Sequence, residues 1–224
     1  SVPCRPFTKR HWDALYRKGE ENLGTELSRF IDNTLHYAKK EKHFFIHPLP
    51  VPDLRTKFAS RHAVVVARGS GYKKDLKALK AYIEDYRPVL IGVDGGADAL
   101  IENGLMPELI VGDMDSISDR ALKCGAEIVV HAYPDGKAPG MDRVLKLGLT
   151  AKTVMGPGTS EDMAMLIAYE KGAELIVTLG THTHMIDFLE KGRKGMASSI
   201  LVRMKIGSKI LDAKGVSKIY QRRL

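Results

Sequence analysis

The chain has 224 residues, of which 44% are apolar and 28% charged, with a net charge of +8; it is long enough to bury a core and too apolar to be disordered in bulk. Its two cysteines, Cys4 and Cys124, stand in no CxxC or Cys/His spacing, which argues against a disulfide framework or a structural zinc site and fits a reducing cytoplasm. No apolar run approaches the roughly 18 residues that span a bilayer and no signal-peptide pattern opens the chain; the basic balance suits phosphorylated ligands, anionic lipid or nucleic acid, and the lack of aromatic interleaving among the basic residues argues against the last.

In chain order, residues 1 to 20 read as a tethering arm that can turn helical from Lys9. From Asn22 the series Leu23, Leu27, Phe30, Ile31, Thr34, Leu35 and Ala38 recurs at helical spacing and builds one apolar stripe, to be buried on the next domain or on a second copy of the chain. HPLPVPDL, residues 47–54, holds three prolines and is expected to be a linker or a laid-down extended segment. The period then changes. Apolar runs at 62–67, 89–93, 109–111, 127–132, 152–155 and 174–179 alternate with helical stretches at 73–86, 119–123, 141–147 and 161–171. Such repetition predicts an α/β fold with a mostly parallel sheet and helices on both faces. After Gly195 one further helix or strand is expected, then a short terminal hairpin, over 209–220, or a helix. The organisation expected is an arm, amphipathic helix and Pro-rich linker (1–58), a nucleotide-binding domain (59–195) and a short C-terminal extension (196–224). Starting at Ser1 without methionine, the chain is expected to be a piece of a longer protein.

The strongest chemistry lies in VLIGVDGGADALIENGLMPELIVGDMDS, residues 89–116. Ligands of open α/β sheets sit beyond the carboxyl ends of strands. There Asp94, Gly95 and Gly96 would line one mouth with Asp113 and Asp115. Carboxylates two apart on an extended segment share a side, so Asp113 and Asp115 would share one cation, Mg²⁺ by donor chemistry. The alternative is a helix cap, since Ser116-x-x-Asp119 fits a capping box. GPGTSED, Gly156 to Asp162, opens a helix: Thr159 and Ser160 would meet an anion and Asp162 would complete the carboxylate cluster, although Thr159-x-x-Asp162 is also an ordinary cap. Gly69, Ser70 and Gly71 after the first strand form another loop of phosphate-cradling composition. Arg193 could meet phosphate or be a solvated charge. His182 and His184 lack a third ligand at zinc spacing.

The run GVDGGADALIENGLMPELIVGDMDSI resembles the catalytic core of thiamin pyrophosphokinases, with its DGG-A turn followed by P-(D/E)-x-I-x-GD-x-DS. The resemblance implies ATP and Mg²⁺ as ligands, Asp94, Asp113, Asp115 and Asp162 in the catalytic set, and attack of an alcohol on the β-phosphorus with release of AMP. Departures are plain: the later acidic motif reads GTSED, the family's GGRxDH segment appears as GTHTHM, and a short tail stands where that family has a β-rich domain. Longer phrases, among them FIDNTLHYAKKEK, YRPVLIGVDGGADAL and FLEKGRKGMAS, resemble the SteA-like family of bacterial cytokinetic-ring proteins. That likeness implies a nucleotide-binding, Mg²⁺-dependent module acting in cell division at the cytoplasmic face of the membrane, with membrane and division-protein partners engaged through terminal regions outside this sequence; separately, the apolar stripe from Leu23 to Ala38 favours self-association, most simply as a homodimer. The alternatives are an active pyrophosphokinase acting on a thiamin- or pterin-like alcohol, and a structural module without catalysis.

Overall fold

The apolar runs form a single parallel sheet whose order decides where a ligand can enter. A computed structural model describes residues 9–133, 136–182 and 196–220. Its strands are β1 (His62–Val66), β2 (Val89–Val93), β3 (Leu109–Gly112), β4 (Glu127–Ala132), β5 (Lys152–Met155), β6 (Leu175–Leu179) and β7 (Ile210–Asp212). They lie in the order β5-β4-β3-β2-β1-β6-β7, every neighbouring pair parallel. The chain thus steps outward from β1 to β5, then returns to the opposite side of β1 for β6. That reversal is the topological switch point, beside which ligands of such sheets bind.

The described helices are α1 (Lys9–Ile46), α2 (Tyr72–Ala78), α3 (Lys80–Tyr86), α4 (Gly96–Glu102), α5 (Asp119–Leu122), α6 (Pro139–Lys146), α7 (Ser160–Glu170), α8 (Met196–Ile206) and α9 (Val216–Ile219). Side chains alternate across a strand, so each strand feeds two cores. Val65, Ile91 and Val111 pack with Ile167 of α7 and Val202 of α8 on one face. Val64 and Leu90 meet Leu76 of α2 and Leu100 of α4 on the other, where Ile110 and Val130 join Leu122 of α5 and Val144 of α6. Burial on both faces explains why the central strands read as continuous apolar runs rather than alternating ones.

Several elements differ from the sequence reading. The stretch 73–86 is two helices meeting at Leu79, not one. The terminal hairpin does not form: residues 210–212 are carried across the sheet by α8 to pair parallel with β6, and residues 216–219 are helical. The parallel pairing puts α8 against the sheet and buries Val202 and Ile206, which a two-stranded ribbon would leave outside. α1 is one 38-residue helix. Its C-terminal end, with Phe44 and Phe45, packs on the core, while Leu23, Ile31 and Leu35 stay about half exposed.

The proline-rich segment is laid down along the domain, and Leu49, Leu54 and Phe58 enter the core. Glu127 anchors it from the start of β4. Its carboxylate, 7% exposed, accepts the Arg55 N–H at 3.1 Å and the Thr56 N–H and hydroxyl, both at 3.0 Å. Burial opposes the charge, but these donors and Lys152 together hold the Glu127 pKa below its ordinary value. The charged form is therefore favoured in the folded state, so this stabilisation is present above the unfolded pKa and is lost as pH falls through the folded one. Glu127→Ala is expected to cost about 2–4 kcal/mol in urea denaturation at pH 7, with the difference from the parent shrinking as the pH is lowered toward 3.

Candidate functional site

The site is built where β2 and β3 release the chain. Asp94 follows β2 with φ +46°, a left-handed conformation costly for a residue other than glycine. It is held there from two sides: its N–H donates to the Val111 carbonyl at 3.0 Å, and its Oδ1 accepts the Met114 N–H at 2.9 Å. The carboxyl lies across the end of β3. A Cβ at Gly112 would come within 1.8 Å of Asp94 Oδ1, so only glycine allows the crossing. Gly96 answers a second close approach, since its Cβ would stand 1.8 Å from the Val66 carbonyl oxygen. The role expected for Gly96 at a phosphate is thus preceded by a packing requirement: α4 starts against β1. Gly95 is buried beneath the Ser116 carbonyl, and Ser116 itself is exposed.

The expected extended path through Asp113 and Asp115 is corrected. Met114 between them has φ +67° and is buried, so the segment is a turn and the alternation of an extended strand does not apply. Asp113 Oδ1 accepts the Asp115 N–H at 3.1 Å, and the turn brings both carboxylates toward Asp94. Burial first, then the negative charges of Asp113 and, more weakly, Asp115 push the Asp94 pKa up to about 7, against the opposing pull of the Met114 N–H. The three acids are near neighbours in an electrostatic sense.

The turn is braced by residues the sequence reading did not single out. Asp98 of α4 accepts the Ser118 N–H at 3.0 Å and the Ser118 hydroxyl. Arg143 of α6 donates to the carbonyls of Met114 and Ile117, the latter at 2.8 Å, and to Asp119 Oδ1 at 2.6 Å. The helix cap is Ser118, whose Oγ accepts the Ala121 N–H, rather than Ser116. His131, near the end of β4, is also part of the wall. Its Nε2 lies 3.5 Å from the Gly156 carbonyl and its Nδ1 3.5 Å from Ser160 Oγ. Burial lowers its pKa, although the Gly156 carbonyl and the Asp113 charge oppose that. A polar residue at the carboxyl end of an otherwise apolar strand is the signal that would have found it.

Asp162 does not join the carboxylate cluster, contrary to expectation. It is 2% exposed. Its Oδ2 accepts the Thr159 N–H at 2.8 Å, the Thr159 hydroxyl at 2.9 Å and the Ser199 hydroxyl of α8. Thr159 and Asp162 form the capping box of α7, and the carboxyl ties α7 to α8. Burial pushes its pKa up to about 6. The neighbouring Glu161 instead binds His182, accepting its N–H at 2.9 Å and meeting Nδ1 at 2.6 Å. His184 and Arg193 lie outside the described residues.

Gly69, Ser70 and Gly71 follow β1 at the switch point, but the open cavity they line, about 660 Å³, is lined on its other side by Lys214, Gly215, Ser217 and Lys218. Asp94, Asp113 and Asp115 are not among its lining residues.

Among the described residues no three His, Cys, Asp or Glu side chains form a cage for a metal. Mg²⁺ commonly takes one or two carboxylates and completes its octahedron with phosphate oxygens and water. Asp113, partly exposed, and Asp115, exposed, are free to offer carboxylate oxygens of the type such a site uses; Asp162, enclosed by its own donors, is not.

Residues 79–152, which carry this turn and its braces, match the family model of the thiamin pyrophosphokinase catalytic domain. The match covers about a third of the chain, the part that holds β2 to β4 and α6. The chain is 27% identical over 157 residues to a 6-hydroxymethyl-7,8-dihydropterin pyrophosphokinase of Methanocaldococcus jannaschii, covering 66% of this chain and 60% of that protein. A 6-hydroxymethyl-7,8-dihydropterin pyrophosphokinase of Methanothermobacter thermautotrophicus is 30% identical over 131 residues, covering 52% of this chain and 55% of the relative. The chain thus spans less than two thirds of the length of these curated relatives. The solved thiamine pyrophosphokinase of Bacillus subtilis aligns with TM-score 0.41 at 23% identity, covering 68% of this chain and 60% of that one. Among the described residues no helix is long and apolar enough to cross a membrane.

The raised Asp94 pKa has a definite sign. Between its ordinary value of 3.8 and about 7 the folded state holds a proton that the unfolded state has lost, so stability from this group falls as pH rises through that window. An asparagine keeps the Met114 hydrogen bond without the charge. The melting temperature of Asp94→Asn, relative to the parent in metal-free buffer, is expected to rise from pH 5 to pH 8; an offset constant with pH would remove the assignment.

Proposed function

We propose that this chain is an ATP-dependent pyrophosphokinase whose acceptor is the hydroxymethyl group of a dihydropterin. The acceptor oxygen bonds to the β-phosphorus of ATP, the bond between that phosphorus and the α-phosphate oxygen breaks, AMP leaves with that oxygen, and the hydroxyl proton passes to solvent. The observation that carries the reading is the Asp113–Asp115 turn, set at the carboxyl edge of the sheet and braced by Asp94, Asp98 and Arg143. Both curated relatives that share the core have the matching activity in their names, which favours the enzyme over the cell-division role. Nothing in the site or in those relatives points to division.

Phosphoryl transfer needs mainly positioning and charge stabilisation. Asp113 and Asp115 would hold magnesium, which when bound neutralises charge on the phosphates. The chain's own part is to fix those two carboxylates before substrate arrives. Arg143 does so by holding two carbonyls of the turn, and is a positioning residue. His131 and the Gly156–Ser160 loop border the turn on the β4 side and would shape the acceptor's surroundings. Thiamin is the second acceptor to weigh, because the family model that matches residues 79–152 is that of thiamin pyrophosphokinases.

The test is AMP release from ATP and Mg²⁺ on addition of 6-hydroxymethyl-7,8-dihydropterin or thiamin. Turnover is expected with the pterin; turnover with thiamin alone would reverse the acceptor, and none with either would refute the enzyme. Asp115→Asn is expected to lower the rate by about 100-fold or more, as for removal of a transition-state stabiliser. Arg143→Ala is expected to cost about 10–100-fold through misplacement of the turn, in kcat more than in acceptor KM.

A further inference from the structure

The cavity after β1 has a chemistry the catalytic turn does not share. Its volume is about 660 Å³, within the range of small-ligand pockets. Four lysines line it: Lys73 and Lys74 from the start of α2, Lys214 from the turn after β7 and Lys218 from α9. Ser70 and Ser217 add hydroxyls to the two walls. The two segments are about 140 positions apart in sequence, and one buried group joins them. Asp75, 2% exposed, accepts the Gly215 N–H at 2.9 Å and the Ser217 N–H at 3.0 Å. Burial opposes its charge, but the Ser217 hydroxyl, those two N–H groups and the charge of Lys218 outweigh it and lower its pKa.

This construction matters for charge. Asp75 is the one carboxylate among the lining residues, and it is engaged with backbone donors. Lys73 and Lys74 are exposed and form no ion pair among the described residues. With the Asp75 carboxylate engaged, the ammonium groups of Lys73 and Lys74 leave the cavity positive, while the turn beyond β2 and β3 is negative. An anion is drawn to the first and repelled from the second unless a cation is present.

We infer that this cavity is a binding site for a diphosphate group that needs no metal, separate from the Asp113–Asp115 turn. A diphosphate carries more charge and more acceptor oxygens than a single phosphate, which suits lysines supplied by two separate segments. The inference does not rest on the pyrophosphokinase reading, and its outcome is independent of AMP release.

The experiment is calorimetric titration of the whole chain with pyrophosphate, ADP, AMP and orthophosphate in EDTA, where the acidic turn cannot recruit a cation. Pyrophosphate or ADP is expected to bind at least ten times more tightly than orthophosphate and AMP. The variant Lys73→Gln/Lys74→Gln is expected to weaken that binding at least tenfold with an unchanged melting temperature, and Asp115→Asn to leave it as it was. Tighter binding of ADP than of pyrophosphate marks a nucleotide as the source of the diphosphate, and the reverse order marks the free anion. Absence of pyrophosphate and ADP binding in EDTA, equal affinity for orthophosphate, or an unaffected lysine variant would each overturn the proposal.

Discussion

The crossing of the Asp94 carboxyl over Gly112 is the constraint on which the candidate site depends. β2 and β3 are hydrogen-bonded neighbours, and a side chain at position 112 would fill the space the carboxyl occupies. With that space open, Asp94 turns left-handed and reaches the Met114 N–H. Met114 is then itself left-handed and buried, and the next carboxylate is turned back toward the mouth. A loop that must keep two like charges together needs such external support, because their repulsion would otherwise open it. Asp94 shares the strain, and its burial first, then the charges of Asp113 and Asp115, raise its pKa.

The braces come from both neighbouring crossovers on one face of the sheet. Asp98 belongs to α4, between β2 and β3, and Arg143 to α6, between β4 and β5. Each contacts backbone as well as side chain, so the shape of the turn is specified rather than only its charge. On the opposite face Asp162 does a different task. Its carboxyl caps α7 and receives the Ser199 hydroxyl of α8, linking the two helices that cover that face. Burying a carboxyl there is tolerated because three donors converge on one oxygen.

The carboxyl edge of the sheet is consequently divided by sign. Acids gather beyond β2 and β3, and lysines beyond β1 and β7, with the switch point between β1 and β6 on the lysine side. The excess of basic residues in the composition is therefore not merely a diffuse property of the surface. A phosphorylated molecule approaching this edge meets attraction on one side and, in the absence of a cation, repulsion on the other.

The α/β class and the parallel sheet were legible because strands buried on both faces must be short, apolar and β-branched, and because helices must separate them. Asp94, Asp113 and Asp115 were legible because glycine and carboxylate at the ends of such runs are unusual for a core. What the sequence could not convey was the conformation of Met114, which depends on a hydrogen bond from twenty residues away, or the use of Asp162 by Ser199, thirty-seven residues on. Local spacing fits a cap and a metal ligand equally well, and only the packing of α8 decides between them. The same holds for His131, Arg143 and the lysines around Asp75, whose neighbours come from distant segments. The pattern of apolar and polar residues by itself determined which segments are strands and which end carries acids, since that follows from burial along the chain. Tertiary structure alone decided which charged groups face one another, since those distances are set by how separate crossovers pack.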